Sequence, residues 1–146
     1  MYVLTARDDK DNGFIVDAVA QVADNPPRIA VSVQEGNLTR QIIEDTGKFN
    51  LSVLTEKAPF ELFRRFGMQS GRDVDKFADF DAVKRSHNGL MYVTEHTNAM
   101  FSCQVVETIP LGSHTMFIGE ITESKVLDKD ESCTYAHYHK AIKPKR

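Results

Sequence analysis

Ala99–Ile109, AMFSCQVVETI, and Thr115–Leu127, TMFIGEITESKVL, are two long apolar, β-branched runs separated by only five residues, PLGSH. Such composition favours extended chain. A five-residue link with a proline and a glycine leaves no room for a crossover helix, so the two strands pair antiparallel. His114 stands at the mouth of the second run, where turn chemistry expects something blander. It is punctuation, core filler or a group that faces a ligand.

The rest of the chain repeats the hairpin theme. Tyr2–Asp8 reads as a strand, and DDKDNG (8–13) as its hairpin turn, with Asn12-Gly13 supplying the positive φ values of a type I′ turn. Phe14–Ala23, FIVDAVAQVA, reads as one strand buried on much of both faces, broken by Asn25-Pro26-Pro27, since neither proline can donate to a ladder. Ile29–Val33 and Phe49–Leu54 are further strands, and Leu90–Thr94 carries another. Between them LTRQIIEDTG reads as a short helix capped by Asn37 or Thr39 and ended by Gly47. A second helix begins near Pro59, presents Phe60, Leu62, Phe63 and Phe66 on one face, and closes at Gly67. From Met68 to Asn88 the pattern weakens, with Val74, Phe77 and Phe80 recurring like anchors of a packed loop or one helical turn. About seven strands, mostly in adjacent hairpins, with two short inserted helices, predict a mainly β fold with short helices, an antiparallel closed or split β-barrel.

Composition narrows the function. The chain has 146 residues, enough for one domain with its own core, and is 41% hydrophobic and 27% charged. A net charge of −3 argues against nucleic acid as the main partner. No apolar run reaches the ~20 residues of a membrane helix, and MYVLTARDD shows no secretory signal. Cys103 and Cys133 form neither a CxxC pair nor a zinc spacing and read as reduced thiols of a cytoplasmic protein. Cys133, His137 and His139 make only a loose Cys-x₃-His-x-His, so no metal is expected.

Three places could carry chemistry. NLTR (37–40) opens a helix, whose free N–H groups and partial positive charge suit a phosphate, with Thr39 adding a hydroxyl and Arg40 a charge; the alternative is a plain cap beside a solvated arginine. SGRDVDKF (70–77) could cover a ligand with Arg72, Lys76 and Phe77, or be a solvated loop held by its aromatics. His114 is the third. No P-loop, Rossmann fingerprint, nucleophile elbow or HExxH is present, so an enzyme built this way would rely on a cofactor.

Taken in order, VLTARDDKDNGFIVDAVAQVADNPPRIAVSV, NLTRQII, GKFNLSVLTE, FGMQSGRDVDKF and IPLGSHTMFIGEI resemble the flavin reductase-like family of FMN-binding split barrels. The likeness covers residues 2–128, with 1–128 read as the split-barrel domain and 129–146 as an extended or partly ordered tail. TYAHYHK (134–140) is similar to the tail of members fused to, or working beside, rubredoxin-type electron carriers.

The resemblance implies FMN in a groove at a homodimer interface, with NAD(P)H as a possible co-substrate and electrons passing to a carrier or acceptor. Carried over, Asn37, Thr39 and Arg40 would hold the phosphate. Ile15, Val16, Asp17, Ala18 and Val19, with the backbone near Ser32 and Val33, would line the ring, and Arg72, Lys76 and Phe77 would cover it. His114 would stand near the ring face where nicotinamide or an electron partner arrives. Relatives commonly carry threonine and small polar residues where this chain has Ile15, Asp17 and Ala18, so Asp17 either accepts from the flavin imide or pairs with Arg40 or Lys76. Ser113 replaces the aspartate usual before the histidine. The alternatives are an electron shuttle without NAD(P)H turnover and a dimer that has lost flavin.

Overall fold

The long hairpin forms the middle of the sheet. In the computed structural model, which describes residues 1–145, it comprises β8 (Thr97–Pro110) and β9 (His114–Val126), with Ala99 opposite Val126 and Pro110 opposite Thr115. The remaining elements, in chain order, are β1 (Tyr2–Arg7), β2 (Asp11–Val16), β3 (Val19–Asp24), β4 (Pro27–Gln34), α1 (Leu38–Thr46), β5 (Lys48–Leu54), α2 (Phe60–Gly67), β6 (Val83–Arg85), β7 (Met91–Val93) and α3 (Tyr135–His137). Seven strands make one sheet in the order β2-β1-β5-β8-β9-β4-β3, with every neighbouring pair antiparallel; β6 and β7 form a separate ribbon.

Two register shifts in the β8–β9 ladder bend the sheet. Gly119 faces the inside of that bend, where a Cβ would lie 2.8 Å from Cys103 Cβ and from the Phe49 ring. Leu4 and Val16 from one end of the sheet share a core with Ile29, Val31 and Val33 from the other, and with Phe49, Leu51, Cys103 and Phe117 from the middle. The sheet therefore curls around one core, but the end strands β2 and β3 do not hydrogen-bond to each other. This is a split barrel, antiparallel throughout, as the hairpin pattern predicts. A second core gathers α2 (Leu62, Phe63, Phe66) with Val3, Leu54, Val93 and Tyr138 on the outside of β1 and β5.

The structure corrects several readings. The first turn is at Asp8–Lys10, where Asp8 Oδ1 accepts the Lys10 N–H at 3.0 Å, and not at Asn12-Gly13. Gly13 lies within β2 opposite Thr5, at a place where a Cβ would come 3.0 Å from Leu4 O. The FIVDAVAQVA run is two strands, broken at Asp17-Ala18, and β3, an edge strand, is largely exposed, unlike β2 at the other edge, which packs against α2. β6, inside the weak region after Met68, has no apolar alternation to announce it. Of the anchors expected there, Phe77 and Phe80 pack edge-on to Phe66 at 5.3 and 5.4 Å, whereas Val74 is exposed. The tail folds through α3 into a π-helical turn over Tyr138–Ile142, and the Tyr138 ring sits 4.5 Å from Phe63; Arg146 lies outside the described residues.

Candidate functional site

The gap between the ends of the sheet is a groove. Strand alternation builds one wall: Val31 and Val33 turn into the core, so Ser32 and Gln34 face outward. His114, opposite Gln34 in the β4–β9 ladder, lies beside them. The other wall is β2, with Phe14, Ile15 and Val16, backed by Phe66 and Gly67 of α2. This part encloses about 270 Å³. It continues into a chamber of about 490 Å³ at the start of α1, bounded by Asn12, Gln34–Thr39 and Met68–Gly71. Gln34, Asn37, Gly67, Gln69 and Lys76 border both parts.

Asn37 caps α1, its Oδ1 accepting the Thr39 N–H at 2.8 Å, and Gly47 ends the helix in the left-handed region at φ 73°. α1 therefore points its positive end into the chamber. The Thr39 hydroxyl makes no hydrogen bond among the described residues and borders the same chamber. Arg40 does not join it. Its guanidinium lies 2.5 Å from Glu44 and 3.4 Å from Glu35, carboxylates one turn along the helix and just before it.

Lys76 is the charge at the centre. Its side chain is buried, and Nζ donates to Gly13 O and Phe66 O, both at 2.9 Å. Among the described residues no carboxylate pairs with it, and burial pushes the ammonium down to about 8. Phe66 O belongs to the last turn of α2, whose partial negative charge favours a cation. Arg65 clamps the same loop by donating to Lys76 O and Ala78 O.

The other expected positions separate. Phe77 packs in the aromatic cluster and, with Arg72, borders a different cavity of about 650 Å³ beside the Asp8–Lys10 turn, so neither covers the groove. That larger cavity is walled by Asp8, Asp9, Asp11, Asp73 and Asp75 against Arg7, Lys10 and Arg72, a poor host for an anion. Asp17 is exposed and borders a small hollow with Met1, Phe63 and Tyr138; it pairs with neither Arg40 nor Lys76, both engaged elsewhere. Ala18 is exposed, its carbonyl accepting the Ser32 N–H, while Val19 packs against the barrel core. His114 Nδ1 lies 2.9 Å from Ser113 Oγ, so the serine occupies the neighbour position that an aspartate would take. Among the described residues no cluster of histidine, cysteine, aspartate and glutamate is arranged for a metal; His137 instead faces Glu56 at 3.4 Å.

Sequence reasoning missed Asn12, Gln34, Gln69 and Gly71 as groove residues. The period-two partner of Ser32 was a usable signal for Gln34. Nothing local marks Gly71, whose need for glycine comes from Asn12 across the fold, 2.3 Å from where a Cβ would sit.

The split antiparallel barrel thus brings to its open seam a helix N-terminus and a buried lysine that no carboxylate neutralises among the described residues. Residues 1–145 match the flavin reductase like domain, and the chain belongs to that family. It is 40% identical over 140 residues to the high molecular weight rubredoxin of Moorella thermoacetica, covering 95% of this chain and 61% of that protein. It is 34% identical to the ferric-chelate reductase (NAD(P)H) of Archaeoglobus fulgidus, covering 95% and 82%. Among solved structures it superposes on flavoredoxin from Methanosarcina acetivorans with a TM-score of 0.77 at 25% identity, covering 86% of this chain and 67% of that one. The chain thus spans about three fifths of the rubredoxin relative.

Proposed function

We propose that this protein is an FMN-binding oxidoreductase that takes electrons from NAD(P)H and passes them to an acceptor, with a rubredoxin-type carrier as the favoured acceptor. The observation that carries the reading is the groove itself: a helix N-terminus and a buried ammonium border a slot that runs between β2 and β4. That donor set suits a phosphate joined to a planar ring. The names of relatives support the redox class, among them a ferric-chelate reductase and a high molecular weight rubredoxin.

When bound, FMN supplies two-electron chemistry between a nicotinamide and an acceptor. The chain supplies alignment. Asn37 fixes the start of α1, and the Thr39 hydroxyl with the neighbouring first-turn amides would hold the phosphate. The stretch of β2 from Phe14 to Val16 would lie along one side of the ring. Ser32 and Gln34 offer polar groups along the opposite wall. His114, with Nδ1 engaged by Ser113, leaves Nε2 without a hydrogen-bond partner among the described residues. Orientation of this kind, bringing reacting atoms to about 3–3.5 Å, accounts for several kcal/mol of a barrier. The exposed edge β3, carrying Val22, is a natural face for a second copy, and a homodimer working in the cytoplasm belongs to this reading.

FMN titration tests it. Wild-type protein binds FMN stoichiometrically; Thr39→Ala weakens binding about tenfold, the cost of one hydrogen bond to a charged group. Arg40→Ala changes it less than about twofold, since that guanidinium is engaged by Glu35 and Glu44. A wild-type protein that takes up no FMN refutes the proposal, and one that binds FMN but leaves NAD(P)H unoxidised assigns it to electron shuttling.

A further inference from the structure

The geometry points to a second task for Lys76: it sets the redox preference of the groove, favouring the reduced, more negative form of an isoalloxazine over the oxidised form. The inference rests on the FMN reading and goes beyond it, because holding a cofactor and biasing its oxidation state are separable.

Position is the first argument. Lys76 borders both the slot between β2 and β4 and the chamber at α1. A ligand with its phosphate at α1 and its ring in the slot places the junction of ring and sugar chain beside this residue. That junction is the central nitrogen of the ring system, and the pyrimidine edge next to it is where reduced flavin carries its negative charge. Two electrons and one proton added to the neutral ring leave one net negative charge there, and charge near that edge is a recognised lever on flavin electronics.

Rigidity is the second argument. Nζ is tied to β2 through Gly13 O and to the end of α2 through Phe66 O. An exposed lysine would follow whichever anion arrives; this one is held in place before any ligand binds. Two carbonyls satisfy two of its three N–H donors without removing its charge, which leaves one donor and a net positive charge for the groove. In a buried setting that field is weakly screened.

The charged and titratable neighbours do not supply this effect. Arg65, from α2, is spent on the Lys76 and Ala78 carbonyls and stacks over Phe80. Asp75 accepts the Phe77 N–H and faces the acidic cavity. Glu35 lies across the chamber, bonded to Thr115 and facing Arg40; His114 lies across the slot. From β2 the group bonded to Lys76 is the uncharged Gly13 carbonyl.

The test compares anaerobic binding of oxidised and dithionite-reduced FMN, together with the midpoint potential of the bound cofactor, in wild type, Lys76→Met and Lys76→Arg. Lys76→Met should reduce the preference for reduced FMN about tenfold, which is a potential about 30 mV more negative for a two-electron couple, while Lys76→Arg keeps most of the preference. Equal loss of affinity for both forms, with the potential unmoved, overturns the inference and leaves the FMN reading standing. Absence of FMN binding in wild type removes both. Should neither variant fold, the wild-type potential decides. The Lys76 ammonium ordinarily loses its proton near pH 8, and a negative ring would hold that proton on. Reduction would then take up one extra proton just above pH 8, steepening the fall of potential by about 30 mV per pH unit. A slope that stays constant through pH 7–9.5 overturns the inference.

Discussion

Gly71→Ala is the substitution for which the structure gives the sharpest expectation. Gly71 lies in the loop between α2 and Phe77, directly over the buried Asn12 side chain. A Cβ there would sit 2.3 Å from Asn12 Nδ2, 2.4 Å from Oδ1 and 2.7 Å from Cγ, where ordinary contact begins at 3.4 Å. Either Asn12 or the loop must retreat by about 1 Å or more. Asn12 is held by the Gly13 N–H, which it accepts at 2.9 Å inside β2. Moving it leaves a buried donor unpaired at about 1–3 kcal/mol. Moving the loop instead pulls against the Lys76 and Arg65 clamps at its far end. The φ of Gly71 is not positive, so strain in the alanine backbone adds nothing. Thermal unfolding should fall by roughly 3–10 °C. The assay that isolates the cause is a double-mutant cycle with Asn12→Ala. Asn12→Ala alone costs about 1–2 kcal/mol through the orphaned Gly13 N–H. Adding Gly71→Ala in that background should cost less than about 0.5 kcal/mol, because the clash has no partner left. An equal cost of Gly71→Ala in both backgrounds refutes the contact as the reason for glycine.

Two further outcomes concern ionisation. Hydrogen bonds from Arg85, then the charges of Arg85 and Arg7, hold the Asp11 carboxyl below its usual range, so its contribution is complete above the ordinary aspartate value of about 4 and is lost as pH falls through the lower folded value. The stability gap between wild type and Asp11→Asn, measured by urea titration, should therefore be constant from pH 7 to 5 and shrink below pH 4; a gap unchanged down to pH 2.5 contradicts this. Burial pushes the Cys103 thiol up to about 12, so the native protein should leave it unalkylated by iodoacetamide at pH 8.5, with labelling in urea. Native labelling faster than global unfolding, followed by mass spectrometry, would show that the core around Phe49 and Gly119 opens locally.

Much of the barrel is legible because strands and turns are local signals. The β8–β9 hairpin, the α1 cap at Asn37 and the αL stop at Gly47 all follow from residues close in the chain. What failed depends on distant partners. Asn12-Gly13 has the composition of a turn, but Asp8 makes a competing turn first, and Gly13 serves instead to admit Leu4 and Thr5 in β1. The FIVDAVAQVA run looks buried throughout because apolar composition does not say which strand a helix covers: β2 packs against α2, whereas β3 at the other edge is exposed. At the site, Asn37 and His114 border the groove as their positions in turn and strand suggest. Arg40, Arg72 and Phe77 do not, because charge and aromaticity do not encode direction: Glu35 and Glu44 draw the first away, the second borders the acidic cavity, and Phe66 and Phe80 take the third.

The open seam explains why the groove lies where it does. A barrel that closed β2 onto β3 would satisfy both strand edges and leave no slot. Here the chain crosses from one sheet end to the other at Asp17-Ala18, where Val19 N–H donates to Asp17 O and Ser32 N–H to Ala18 O. That crossing stitches only the base. Above it β2 meets α2, whose Gly67 comes so close that a Cβ would lie 3.1 Å from Ile15 Cγ1, and the loop after α2 reaches back through Lys76 to Gly13 O. The edge that a second strand would have covered is thus protected by a helix end and one ammonium. The same substitution of helix and lysine for a strand brings a positive charge to the β2 side of the groove, so edge protection and the groove's charge come from one contact. Any change that releases Lys76 from Gly13 O must therefore expose β2 as well as weaken the groove, and the two losses should appear together.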